Sequence, residues 1–306
     1  MRKTSAPQSA ESPTERRNPR SMELDSMSAL EILQLMNAED IAAVQAVEPV
    51  LTTLAILVDK AADRVREGGR VHYFGAGTSG RLGVLDAAEL IPTFGVDPQQ
   101  FQAHIAGGPQ AIVKAVEGSE DSDGDGRREA TAAVNQRDVV IGLAASGTTP
   151  YVAGALRVAR ATGALTALVT SNPASPLAAL VDHAIIADTG PEVLTGSTRL
   201  KAGTVTKVIL NAFSTALMVK RGRTYSNLMV TVVAGNLKLR ERTLRILQEV
   251  TGASAEQSAR MLDRAGGDLQ VAVVSALADA STDAAADALE ATDGSIGDAI
   301  RRLTGM

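Results

Sequence analysis

The stretch FGAGTSGRLGVLDAAE, residues 74–89, decides how the rest of the chain is read. It follows the apolar run RVHYFG (70–75) and opens a segment whose apolar residues recur with helical spacing. A glycine-rich turn between a strand and a helix is the joint of a βαβ unit: glycines admit close backbone approach, and the helix start favours an anion. Gly75, Gly77 and Gly80 have the G-x-G-x-x-G spacing of dinucleotide-binding proteins. That fingerprint also needs an acidic residue at the end of the second strand to hold a ribose. Here the second strand-like run closes in HIAGGPQ (104–110), without Asp or Glu, which counts against a dinucleotide.

Outward from this turn the same pattern repeats. The strand-like runs RVHYFG, QFQAHIA (100–106), DVVIGLAAS (138–146), LTALVTS (165–171) and DHAIIAD (182–188) are separated by stretches long enough for crossover helices. Such alternation predicts an α/β fold with a five-stranded parallel sheet flanked by helices. In the flavodoxin-like strand order, strands 1 and 3 are neighbours at the switch point where ligands of such sheets bind. The loops that matter are then GAGTSG (75–80) and AASGTTP (144–150).

Both loops carry hydroxyl groups beside a helix start. Gly77, Thr78 and Ser79 stand in the first, and Ser146, Gly147, Thr148 and Thr149 in the second. Two hydroxyl-rich loops at one switch point suit a compact phosphate monoester better than a pyrophosphate, because free backbone N–H groups and the helix dipole favour a concentrated charge. For either loop alone, a helix N-cap in a tight turn is the plain alternative.

Composition narrows the partners. The 306-residue chain has a net charge of −5, 2% aromatic residues, no Trp and no Cys. This argues against a nucleic-acid partner, which needs basic surface and stacking rings. It also excludes disulfides, thiolate metal sites and a cysteine nucleophile. No uninterrupted apolar run suggests a membrane span and the polar start lacks a signal-peptide core, so a cytoplasmic protein without a membrane partner is expected. His72, His104 and His183 lie scattered in strand-like runs without metal-ligand spacing, so no metal is expected.

The ends of the chain read differently from its middle. Residues 1–22 are polar and Pro-rich, a mobile arm or one lying on another surface. Residues 23–68 read as N-terminal helices packing on the core, closing at Gly68 and Gly69. Residues 69–249 read as the phosphate-binding α/β core with its following helices. From 250 to 306 the composition shifts, and SAEQSARMLDRAGGDLQVAV (254–273) recurs as STDAAADALEATDGSIGDAI (281–300), offset by about 27 residues. Each unit reads as helix, glycine turn, helix, and the pair resembles ubiquitin-associated modules; a small helical cap that supports assembly is the plainer role.

Candidate acids flank the glycine loop. Glu89 lies in the otherwise apolar VLDAAELIP, about two and a half turns into the helix that begins at the loop. Glu120 stands in AVEGSEDSDGDG (115–126), where a solvated acidic run is the bland reading. Ser197, Arg199 and Lys201 in GSTRLKAGT (196–204), and Arg81, could supply hydroxyl and positive charge to an anion, or simply cap a helix and pair with an acid.

These segments carry a resemblance. FGAGTSGRLGVLDAAELIPTFG, HIAGGPQAIVKAVEGSEDS, LAASGTTPYVAGAL, TGSTRLKAGTVTKVILN and the N-terminal TERRNPRSMELDSMSALEILQLMNAED are similar to motifs of the N-acetylmuramic acid 6-phosphate etherases, bacterial lyases of the sugar isomerase (SIS) superfamily. With the C-terminal repeat included, the likeness covers nearly the whole chain. Leu90 and Ile91 after Glu89 depart conservatively.

The resemblance implies a SIS-type sheet, a homodimer, a sugar-phosphate substrate, and removal of D-lactate from carbon 3 of the sugar by elimination followed by water addition. It implies Glu89 as proton donor to the lactyl oxygen and Glu120 as the other catalytic glutamate, the base at carbon 2. Such chemistry needs one carboxyl protonated and the other ionised, and no metal or cofactor. An aldose-ketose isomerase of the same fold would also use a base at carbon 2 but release no lactate. A non-catalytic sugar-phosphate sensor is the other alternative; the glucokinase regulatory protein carries two such domains where this chain has room for one. The apolar VILNAFSTALMV (208–219) is a dimer interface or ordinary core.

Overall fold

A computed structural model describes residues 12–231 and 237–305, with the side chains of 237–240 left aside. By compactness the chain divides into two units. Residues up to Ala87 with Gln99–Phe213 form the first, and Ala88–Pro98 with Ser214 onward form the second. The boundary expected at residue 250 therefore differs from the division by contacts, because the second unit recruits chain well before the repeat.

In the first unit, α1 (Ala29–Gln45) and α2 (Leu51–Arg66) precede the sheet. Ser28 and Glu31 close a capping box on α1, which fixes its start. Leu54, Leu57, Val58, Ala61, Ala62 and Val65 form the buried stripe of α2 at helical spacing. The strands are β1 (Val71–Gly75), β2 (Phe101–Ile105), β3 (Val139–Leu143), β4 (Leu165–Thr170) and β5 (His183–Ile186). Between them run α3 (Gly77–Phe94), α4 (Asp123–Ala133) and α5 (Pro150–Thr162), and α6 (Lys201–Lys220) follows. All strand pairs are parallel in the order β2-β1-β3-β4-β5, so the flavodoxin-like order holds and β1 and β3 are hydrogen-bonded neighbours.

The central strands β1, β3 and β4 are buried along their whole length, as expected of a parallel sheet covered on both faces. On one face Phe74, Val140 and Leu168 pack with Tyr151, Val152 and Leu156 of α5. In the N-terminal segment Pro13 and Thr14 are buried and Asn18 is 4% exposed; residues 1–11, on which much of the expected arm falls, lie outside the described ones.

The second unit contains α7 (Leu237–Thr251), α8 (Ala255–Arg264), α9 (Leu269–Ala278), α10 (Thr282–Ala291) and α11 (Ile296–Thr304). Leu247, Leu262, Val273, Leu289 and Ile296 share one core. The repeat seen in the sequence is thus two helix-turn-helix pairs, and α7 shares their core.

By length and composition the stretch Ala29–Arg66, which comprises α1, a short turn and α2, and the helix Lys201–Lys220 are apolar enough to cross a membrane, a test that the core helices of a globular protein also pass. VILNAFSTALMV resolves as core: Ile209, Leu210, Phe213, Leu217 and Met218 are each at most 1% exposed.

The two histidines near the sheet's β2 edge form a chain of buried contacts. His72 Nε2 lies 3.2 Å from Asp138 Oδ2, and its Nδ1 lies 3.1 Å from His104 Nε2. The His104 ring stacks on Phe74 at 4.2 Å. Burial lowers both imidazoles, and neighbouring positive charge lowers His104 further, to about 4. The unfolded chain therefore binds protons that the folded chain refuses. Stability is whole above the ordinary histidine pKa near 6.5 and falls as pH drops toward 4. We expect the urea midpoint to decline steadily between pH 7 and pH 4.5, and His104→Gln to flatten that decline. A midpoint equally steep in the variant would show that another group carries the dependence.

Candidate active site

The glycine loop is shaped by packing before any ligand is considered. A β-carbon on Gly75 would lie 2.8 Å from Gly80 N, and one on Gly80 would lie 2.7 Å from both Gly75 O and Ile105 Cγ1. The first and last glycines of the spacing are thus the surfaces on which α3 is pressed against β1 and β2. Gly77 has φ +52°, the left-handed conformation that starts the helix directly after the strand. Thr78 and Ser79, half-buried, occupy the first turn of α3.

The second loop is held from β4. Thr170 Oγ1 donates to Ala145 O, Asn172 Nδ2 to Ser146 O at 2.7 Å, and Ser175 Oγ to Gly147 O at 2.7 Å. Three successive carbonyls are fixed by three side chains. Gly147 has φ +69°, and a β-carbon there would collide with Ser175 Oγ at 2.3 Å. Ser146 Oγ and Thr148 Oγ1 are 3.0 Å apart, so these hydroxyls share one small region, with Thr148 exposed. Thr149 precedes α5 and its side chain makes no cap bond to the helix. Thr170, Asn172 and Ser175 escaped the sequence reading; the signal was the polar cluster TSNPAS (170–175) directly after a strand.

Between β2 and α4 the chain makes short turns that carry the acidic run. Glu120 lies in the turn Ser119–Asp121 and is exposed, and Glu117 and Asp121 are exposed beside it. Arg81 on α3 donates from Nε to Ile112 O at 3.0 Å and from Nη2 to Lys114 O at 3.4 Å. It therefore braces the stretch before Glu120. Glu89 is an exposed residue of α3. Three residues earlier on that helix, buried Asp86 accepts from Tyr73 Oη and from Asn211 Nδ2, both at 2.9 Å. These bonds fix the rotation of the helix; burial beside Asp86 pushes the Tyr73 hydroxyl well up, so it remains a donor.

The start of α6 departs from expectation. Lys201 is 3% exposed and its Nζ lies 2.6 Å from Glu39 Oε2 on α1. Its positive charge is thereby paired with a carboxylate inside the protein. The backbone N–H groups of Lys201 and Ala202 donate to Glu192, at 2.9 and 3.0 Å, so the helix end already holds an anion of its own. Burial pushes the Glu192 carboxyl up, opposed by those two bonds and by Lys201. Ser197 is half-buried and Arg199 exposed in the loop just before. Neither Glu39 nor Glu192 was singled out in the sequence, where each is one acid among many.

A five-stranded parallel sheet with hydroxyl-bearing loops at the ends of β1 and β3 is the architecture of a SIS-domain protein, and the family model described as SIS domain matches residues 113–216. The model of the glucokinase regulatory protein N-terminal SIS domain matches residues 53–160. The N-acetylmuramic acid 6-phosphate etherase of Thermobifida fusca is 56% identical over 262 residues, 86% of each chain. That of Pectobacterium atrosepticum is 48% identical over 94% of this chain and 95% of its own. Among solved structures, a phosphoheptose isomerase from Francisella tularensis aligns with 63% of this chain and all of its own, at 15% identity and a TM-score of 0.49. The chain belongs to the N-acetylmuramic acid 6-phosphate etherase family.

Because Gly80 is enclosed by backbone, its replacement by Ala should destabilise the protein by about 1–3 kcal/mol. Gly124 in α4 has open space around it, so Gly124→Ala should instead stabilise by about 0.5–1 kcal/mol. Urea unfolding of the two variants checks this pair, and equal shifts would contradict the packing account.

Proposed function

We propose that the protein is a lyase that removes D-lactate from carbon 3 of N-acetylmuramic acid 6-phosphate and leaves N-acetylglucosamine 6-phosphate. Membership of a family whose curated relatives bear the etherase name supports this. In the structure, the observation that carries it is the adjacency of β1 and β3, whose following loops present Thr78, Ser79, Ser146 and Thr148 at one edge of the sheet. Backbone N–H groups around Gly77, Gly147 and Thr149 would complete a cradle for the phosphate. Ser197, on the segment just before α6, would serve the rest of the sugar.

The chemistry follows from the open-chain sugar. Its aldehyde acidifies the proton on carbon 2, which Glu120 takes as base. The electron pair moves to form the carbon 2–carbon 3 double bond as the bond from carbon 3 to the lactyl oxygen breaks. An alkoxide leaves poorly, so Glu89 gives that oxygen its proton. Water then adds at carbon 3 of the unsaturated aldehyde: Glu89, ionised by the elimination, takes a proton from the water as its oxygen bonds to carbon 3, and Glu120 returns its proton to carbon 2.

The purified protein should release D-lactate from N-acetylmuramic acid 6-phosphate, and none after extended incubation at saturating substrate would refute the reading. Glu89→Ala in heavy water should still exchange the carbon 2 proton while losing lactate release by about 10²–10⁴-fold. Glu120→Ala should lose both. Exchange lost with elimination intact in Glu89→Ala would reverse the two roles.

We further infer that two copies pair through α1, and that the protein works in the cytoplasm. Leu30, Leu33, Ile41 and Val44 form one stripe at helical spacing, each 43–64% exposed, on a helix that buries only Glu39 and Ala43. An apolar stripe of this kind on a metabolic enzyme is covered by a partner. Sedimentation should give a mass of two chains for the wild type and one for Leu33→Glu/Ile41→Glu with unchanged circular dichroism. A double variant that still sediments as two chains would move the interface elsewhere.

A further inference from the structure

We propose that the buried Glu39–Lys201 pair, latched by the N-terminal segment, is a positioning device for the ligand-binding edge of the sheet, and that Lys201 is not itself a phosphate ligand. The inference rests on the sugar-phosphate reading above and assigns residues that reading leaves idle.

The contacts converge from three directions. Glu39 Oε2 takes Lys201 Nζ at 2.6 Å and Asn18 Nδ2 at 3.0 Å, while Oε1 takes Arg20 Nη1 at 2.8 Å. Both carboxylate oxygens are therefore used, and these donors hold the Glu39 carboxyl below its ordinary value against the opposing effect of burial. Asn18 also donates to Pro191 O at 3.3 Å, and Thr14 O accepts from Gly196 N at 3.0 Å. Glu192 holds the backbone of Lys201 and Ala202. The segment from Pro191 to Ala202, which contains Ser197 and Arg199, is thus pinned by residues 14–20, by α1 and by its own glutamate.

This pinned segment borders the glycine loop. A β-carbon on Gly203, in the first turn of α6, would meet Thr78 Cγ2 at 3.6 Å. Any shift of the first turn of α6 is therefore felt at Thr78. Taking a carboxylate and an ammonium out of water costs several kcal/mol per ion, and a buried pair seldom exceeds an apolar replacement in stability. What the pair supplies is a defined geometry for the start of α6, linked to α1 and to the chain's N-terminal region.

The two roles open to Lys201 predict opposite behaviour at Glu39. If the ammonium bound phosphate, Glu39 would compete with the ligand, and Glu39→Gln would leave affinity unchanged or tighten it. If the pair positions the loop, Glu39→Gln and Lys201→Met weaken binding alike. The double variant is then no weaker than the worse single, because both changes remove one interaction.

Binding of N-acetylglucosamine 6-phosphate by calorimetry, alongside lactate release, separates these. We expect Kd and KM to rise tenfold or more in each single variant, with kcat within threefold of wild type and the double variant within threefold of the worse single. Asn18→Ala, which removes one of the donors to Glu39, should raise KM in the same direction by a smaller factor with kcat within threefold of wild type. Wild-type affinity in Glu39→Gln combined with loss in Lys201→Met would overturn the proposal. If the Glu39 and Lys201 variants do not fold, unchanged Kd and KM in Asn18→Ala would overturn it instead. A wild type that binds the sugar phosphate but releases no lactate would refute the proposed reaction while leaving the positioning comparison intact. A wild type that binds no sugar phosphate would refute both.

Discussion

Backbone touching backbone at Gly75 and Gly80 is the contact from which the ligand-binding edge is built. With no side chain at either position, α3 begins as close to β1 as main chain allows, and Ile105 of β2 closes on the same spot. This closeness directs the first turn of α3, with Thr78 and Ser79, at the carboxyl edge of the sheet, where β3 delivers its own loop. The spacing that looks like a dinucleotide fingerprint is a requirement of helix-on-strand packing first; which anion it serves depends on what surrounds it.

Carboxylates divide into two populations with different work. Asp86, Asp138, Glu39 and Glu192 are buried and each is answered by named donors: Tyr73 and Asn211; Arg70, Asn135 and His72; Lys201, Asn18 and Arg20; and the first N–H groups of α6. Removing one partner from such a site would strand a desolvated charge, so these groups hold geometry. Glu89 and Glu120, to which the proposed reaction gives the proton transfers, are exposed.

The fold was legible because its evidence is local. Apolar runs of strand length, glycine turns and intervening helical spacing all lie within windows of a dozen residues, and the five strands sit where those windows put them. The two hydroxyl-bearing loops after β1 and β3 were legible for the same reason. What escaped depends on residues far apart in the chain: Glu39 meets Lys201 across 162 positions, and only that meeting turns a candidate phosphate ligand into an internal ion pair. Thr170, Asn172 and Ser175 read as an ordinary polar turn until their partners in the loop after β3 are known. The apolar content of α1 predicts a helix packing on the core; Leu30, Leu33, Ile41 and Val44 of that helix are exposed.

Glu192 has one more consequence. A helix start with open N–H groups attracts any small anion in solution, and a metabolite site surrounded by such starts would be filled by free phosphate much of the time. A carboxylate tethered nine residues before the helix acts at a local concentration that dissolved anions do not match. On the proposed reading, the start of α6 is filled by its own carboxylate, and the loops after β1 and β3 are left to discriminate the sugar phosphate.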